Sequence, residues 1–270
     1  MHEEAALSWA WAKRVKLWWG GSQRGLPLIG DEVWARQVVA VPILHGLSPE
    51  EQRHLILLAK LFVRSKAITP IGVRPTSAQL AWMALQACLP ILYLGLDWYR
   101  NFYEIILLPT AVERAEPIML ADGVMGTDVS LHQGEAWEQG PVVLVWPEVL
   151  RDGQWDGYHL LIHELVHKLD MLAGGVANGM PPAQREVPIN RWQSTLEQAY
   201  RQWLAQEARG ESDGLLDEQA SEGVDEFFAI VCEQFFTRPR ALRQAYPALY
   251  ALLQAWFHQD PASRQSMGRG

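Results

Sequence analysis

Apolar and polar positions along the chain alternate between two periods, and the helical period dominates. Ser48-Pro49-Glu50-Glu51 combines a capping serine, a proline at the first helical position and an acidic first turn, and predicts a helix to about Ser65. Thr76 or Ser77 starts a second helix, carried into the apolar run Leu80–Leu96 and ending near Pro90 or Gly95. That run contains Gln86, Pro90 and Gly95 and meets Asp97, so it reads as a buried core helix and not as a membrane span. Tyr103–Leu108 and Val142–Trp146 are short β-rich runs closed by Pro109 and Pro147. The glycine-bearing stretch 111–140 between them reads as turns, with room for a further strand. From Gly157 onward the helical period returns at about 157–173, 188–208, 224–236 and 247–258. With no internal repeat and no separating linker, these elements predict one mainly helical α+β domain with a small sheet. The expected body is 34–261, preceded by a helical extension at 1–33 and followed by a flexible tail at 262–270. In the extension, Trp9, Trp11, Trp18 and Trp19 among Lys13, Arg14 and Lys16 fit a short helix packed on the domain better than a membrane-surface helix.

Composition narrows the classes of function. Hydrophobic residues make up 49% of the 270 and charged residues 20%, which is the balance of a soluble globular chain. Lys and Arg number 23 against 31 Asp and Glu, a net charge of −8 that disfavours nucleic acid as a partner. Cys88 and Cys232 are too few for a disulfide scaffold or a cysteine-built zinc site. The acidic start Met1-His2-Glu3-Glu4 is unlike a secretory leader, so a cytoplasmic protein without a membrane partner is expected.

The chemistry concentrates in Tyr158–Asp170. His163 and His167 stand four apart, which on a helix stacks both imidazoles on one face within reach of one cation. Glu164, one position round, can meet a water in an open coordination site, while Leu160, Leu161, Leu165 and Leu169 hold the helix in the core. A core helix that merely satisfied its histidines would bury several polar groups, and burying them unpaired is costly. A metal satisfies all of them at once. Zinc then needs another protein ligand, and no histidine follows at a suitable spacing. Glu226 is the best-placed carboxylate, because the run Asp225–Glu233 reads as a largely buried helix in which a carboxylate needs a partner. Glu233, seven residues on, and Asp170, three past His167, are candidates for supporting a ligand from behind, against the plainer reading of ordinary surface charges.

Several blocks in order carry a family resemblance. They are Q-A-C-L at 86–89, L-G-L-D-W-Y at 94–99, G-E-A-W-E-Q-G-P-V-V-L-V-W at 134–146, H-E-L-V-H-K-L-D-M at 163–171 and A-N-G at 177–179. E-F-F-A at 226–229, E-Q-F-F at 233–236, Y-P-A-L-Y at 246–250 and Q-D-P at 259–261 complete the set. On these the chain resembles the Mlc titration factor A family of bacterial zinc metallopeptidases. The resemblance implies a zincin-like domain whose small sheet lies beside the active-site helix. It also implies one Zn2+ per chain on His163, His167 and Glu226, with Glu164 as the catalytic carboxylate. It further implies aminopeptidase-like activity on a peptide or protein substrate, and binding to a DNA-binding repressor of the Mlc type. Two positions depart from the family pattern. Gln219 stands where the family has a tyrosine seven residues before the ligand glutamate, and His159 stands where asparagine is usual.

The resulting expectation is peptide hydrolysis by a metal-activated water with Glu164 as general base. Gln219, Tyr158 and His159 are the candidates for steadying the oxyanion. His159 is otherwise expected as a solvated residue at the helix start. The strand at Pro141–Trp146 is expected to border the cleft and accept an extended peptide along its edge. The acidic run from Gln206 to Glu226 reads as a solvated loop leading into the ligand helix, with a mobile lid as the alternative. A non-catalytic regulator-binding protein with a structural zinc site is the rival reading.

Overall fold

A computed structural model describes residues 29–119, 125–132, 134–136, 140–211 and 214–265, with the strand residues between 112 and 136 described through their backbone alone. Helix α1 (Asp31–Ala40) buries Trp34 and Val38 and runs straight across the expected boundary at residue 33. Helix α2 (Pro49–Ser65) starts where its sequence predicts: Ser48 and Glu51 cap each other's backbone amides reciprocally. Thr76 and Gln79 do the same for helix α3 (Ser77–Cys88). Helix α3 ends before Pro90, and the rest of the apolar run turns through Gly95 at φ 85°. The tryptophan-rich residues 9–19 lie outside the described residues.

Four strands form the main sheet: β1 (Ala67–Pro70), β2 (Glu104–Leu108), β5 (Gly134–Ala136) and β6 (Val142–Val145), in the order β1-β2-β6-β5. β1, β2 and β6 run parallel, and β5 closes the sheet antiparallel to β6. The stretch expected as turns instead holds a long antiparallel hairpin, β3 (Val112–Met119) with β4 (Met125–His132), in which Glu113, Ser130 and Asp128 share strands with the apolar residues. Its polar residues kept an alternating β pattern from standing out in the sequence. The expected peptide-binding edge is also corrected. Val143 of β6 pairs with Ile106 on one side and Glu135 on the other, so both of its edges are used and β5 forms the outer edge.

After the one-turn helix α4 (Trp146–Val149) come α5 (Leu160–Asp170), α6 (Ile189–Glu207), α7 (Val224–Thr237), α8 (Pro239–Ala245), α9 (Pro247–Phe257) and α10 (Pro261–Arg264). Prolines at the first position start the last three. Ala262 is buried, so packing continues past residue 261, while 266–270 lie outside the described residues. Helix α7 is buried nearly all round, and its Phe228, Phe235 and Phe236 meet Trp192 and Phe257 at ring-centroid distances of 5.1 to 5.5 Å. This aromatic wall presses α7 against α5, and α5 in turn rests on β5 and β6. Among the described residues no helix is long and apolar enough to cross a membrane.

One buried charge supports the loop that precedes β2. Nζ of Lys66 donates to the carbonyls of Tyr99 and Phe102, each at 2.5 Å, and lies 4.1 Å from the Phe102 ring centroid. Burial pushes this ammonium down to about 8. The unfolded chain holds the same proton to about pH 10.4. Between those values the unfolded state binds more protons, so the group adds stability as pH rises. Urea unfolding of the wild type and Lys66→Met should show the difference in stability moving in favour of the wild type from about pH 7.5 to about pH 10.5. A difference independent of pH would mean that the native ammonium is not desolvated.

Candidate metal centre

Helix α5 is shorter at its start than the periodicity predicts, and the reason shapes the site. Gly157 has φ 99° and would place a Cβ 2.7 Å from Arg238, so the chain turns sharply there. His159 then takes an extended conformation (φ −162°) and caps the helix. Oδ1 and Oδ2 of Asp152 accept the N–H groups of Leu160 and Leu161 at 2.9 and 3.0 Å, and Nδ1 of His159 accepts that of Ile162 at 3.2 Å. The free amides of a helix start are thus satisfied without water. His159 is accordingly buried, not solvated, with Nε2 3.0 Å from Gln86 Oε1. Its ring is committed to the helix start, which corrects its reading as a solvated residue and leaves its imidazole bonded away from the substrate side.

His163 and His167 stack one turn apart on α5, with ring centroids 4.8 Å apart. Their Nε2 atoms are 3.1 Å from each other. Glu226, in the first turn of α7, brings Oε2 to 3.1 Å from His163 Nε2 and Oε1 to 3.2 Å from His167 Nε2. One ligand atom from each residue lies within 4.8 Å of the others, and among the described residues this is the grouping able to hold a metal ion. The spacing matches the chemistry. Tetrahedral zinc with ligand bonds of about 2.0–2.1 Å sets neighbouring ligand atoms roughly 3.3 Å apart. Two imidazole nitrogens and a carboxylate oxygen are also the donor types of zinc sites that keep an open position.

The hydrogen bonds behind the site favour the same reading. Nδ1 of His163 donates to Glu233 Oε1 at 2.8 Å, which leaves Nε2 to face Glu226 and His167. Glu233 Oε2 accepts the His159 N–H at 2.7 Å, so the carboxylate is fixed at both oxygens. Glu233 is therefore an orienting partner and not a surface charge. Burial works to raise the Glu226 carboxyl, but hydrogen bonds from His163 and His167 outweigh it and hold Glu226 well below the usual carboxylate range. Burial disfavours charge on His163, yet Glu226, Glu233 and Glu164 raise its pKa far above that of a free histidine. The pocket is thus built to stabilise positive charge, which a divalent cation supplies.

Glu164 is buried, and its charge reaches both His163 and Lys168. Burial pushes the Lys168 ammonium down to about 8, and its Nζ donates to Gly140 O at 3.0 Å just before β6. Asp170 is fully buried, its Oδ2 accepting the N–H groups of Asn178 and Gly179. Gln219 is exposed, on the one-turn 3-10 helix Glu218–Ser221 packed against α7. Tyr158 is half-buried against Arg151, and burial with the charges of Asp152, Glu148 and Glu233 keeps its phenol protonated. The acidic run before α7 is anchored by buried Leu215, Leu216 and Ala220, and Ser212 and Asp213 lie outside the described residues. Asp152 and Gln86 had no role in the sequence reading. Asp152 lies eight residues before Leu160, beyond the spacing of a local cap.

Comparison with known proteins defines the class. The sequence profile of the glucose-regulated metallo-peptidase M90 family matches residues 18–258, and the chain belongs to that family. Among its relatives, Mlc titration factor A of Edwardsiella ictaluri is 36% identical over 238 residues, which cover 84% of this chain and 88% of that protein. The Mlc titration factors A of Yersinia enterocolitica and Escherichia fergusonii are 31% and 32% identical, with more than nine-tenths of each chain covered.

The Glu233 contact makes a quantitative expectation. In Glu233→Gln one of the two donors, His163 Nδ1–H or His159 N–H, faces an amide NH2 in place of an acceptor. Competition with a chromophoric chelator should show metal affinity reduced about 10- to 100-fold. Unchanged affinity would mean that Glu233 does not hold His163 in its ligating tautomer.

Proposed function

We propose that the protein is a zinc-dependent metallopeptidase with aminopeptidase-like activity, holding one Zn2+ per chain on His163, His167 and Glu226. The observation that supports this most directly is the convergence of two Nε2 atoms and a carboxylate at 3.1 to 3.2 Å. Bound zinc supplies Lewis acidity, lowering the pKa of a coordinated water to about 7 and polarising a carbonyl. The chain's own residues supply the rest. Glu164, on the same helix as both histidines, takes the water's proton and delivers it to the leaving amine. The outer edge of β5, beside α5, suits an extended peptide, since a strand edge offers main-chain donors and acceptors along its length. Gln219, exposed on the 3-10 helix packed against α7, is the candidate neutral donor to the oxyanion.

The relatives are named for titration of Mlc, and by that likeness a repressor of the Mlc type is the proposed protein partner, in the cytoplasm. The rival, a regulator-binding protein with a structural zinc, shares the metal ligands but gives Glu164 no task. Glu164→Gln separates the two. Zinc content should persist while hydrolysis of short peptides falls by about 10²- to 10⁴-fold or more. Hydrolysis at the wild-type rate would overturn the assigned mechanism. A wild type that holds zinc and cleaves no peptide, yet binds the repressor, would favour the rival.

A further inference from the structure

Glu233 serves His163, but His167 has no such partner. Its Nδ1 is buried and lacks a hydrogen bond, and so does Oδ1 of Asp170, three residues on and on the same face of α5. One is an imidazole nitrogen and the other a carboxylate oxygen, complementary in kind though not bonded to each other in this structure. A neutral imidazole that offers Nε2 to a cation must carry its proton on Nδ1, and that proton needs an acceptor. Burial pushes the Asp170 carboxyl up to about 6, against the pull of the Gly179 and Asn178 amides and of His167.

The second oxygen of Asp170 leads to the other ligand helix. Oδ2 accepts the N–H groups of Asn178 at 2.7 Å and Gly179 at 2.6 Å. Gly179 has φ 75°, and a Cβ there would stand 2.8 Å from Val224 Cγ1 and 3.1 Å from Val224 O. Val224 opens α7, two residues before Glu226. Trp192 Nε1 donates to Gly179 O at 2.7 Å and holds the turn from a third side. A side chain at 179 would therefore have to push the start of α7 away from α5.

We propose that Asp170 and the Asn178–Gly179 turn form a clasp that sets His167 and Glu226 together, with the orphaned Oδ1 turning to receive His167 Nδ1–H when Nε2 takes up the cation, and the turn on Oδ2 fixing how closely α7 approaches α5. These are positioning residues, and the inference rests on the metal-ligand reading given above. Asp170→Asn keeps an acceptor for the turn and places an amide NH2 opposite the imidazole. Competition against a chromophoric chelator should show its zinc affinity reduced about 10- to 100-fold, with the unfolding temperature of the metal-free protein nearly unchanged. Gly179→Ala should weaken zinc binding through Glu226 while keeping the His167 Nδ1–H resonance, and adding Val224→Ala should restore part of the loss. Zinc-loaded wild type should show that resonance as a slowly exchanging proton in NMR spectra, and Asp170→Asn should lose it. An unprotected His167 Nδ1–H in the zinc-loaded wild type overturns the clasp, whether or not any variant folds. So does wild-type affinity in Asp170→Asn, or a fall in its metal-free stability as large as the fall in binding. A wild type that binds no zinc would instead overturn the metal-ligand reading itself.

Discussion

The structure depends on one electrostatic constraint: two imidazole nitrogens and a carboxylate meet within 3.2 Å at a largely buried place. With both lone pairs pointing inward such a cluster repels itself, and with both nitrogens protonated it buries two charges. A cation at the centre removes both penalties. The scaffold around it acts to keep that convergence rigid. Asp152 and His159 finish the start of α5, Glu233 locks one imidazole, and the aromatic wall of α6, α7 and α9 holds Glu226 in place. The carboxylates in this core are spent on backbone amides and imidazoles, so their charge is used locally and is not part of a diffuse acidic field.

What the sequence made legible were the features whose cause is local. The i, i+4 histidines, the capping boxes at Ser48 and Thr76, and the apolar helix bearing Glu226 and Glu233 all follow from short-range spacing. Glu226 was readable because a carboxylate in an otherwise apolar helix needs a partner. Features caused by tertiary contact were not readable. Asp152 caps α5 from eight residues away across a loop whose path is set by Gly153 and Gly157. The hairpin β3–β4 carries too many polar residues for an alternating pattern to stand out. His159 looked like a solvated residue because its neighbours in sequence are turn formers, whereas Gln86 of α3 covers it in space.

The edge of the sheet shows the same division. Val142–Val145 had the composition of a strand, and a strand it is, but composition says nothing about which strand lies outermost. The three residues of β5, too short and too polar to read as a strand, take that place and lie beside α5. A short edge is also a protected one: it offers pairing over only a few residues, too little to recruit another sheet.

The departure at Gln219 bears on how proton transfer is divided in the proposed reaction. A phenol can act as an acid as well as a hydrogen-bond donor, whereas an amide donates without exchanging a proton on the catalytic pathway. With an amide at position 219, and with His163 and His167 assigned through Nε2 to the cation, the proposed reaction leaves proton transfer to Glu164. Glu164 is buried on the same helix as both histidines, and its charge works against the burial that lowers the Lys168 ammonium.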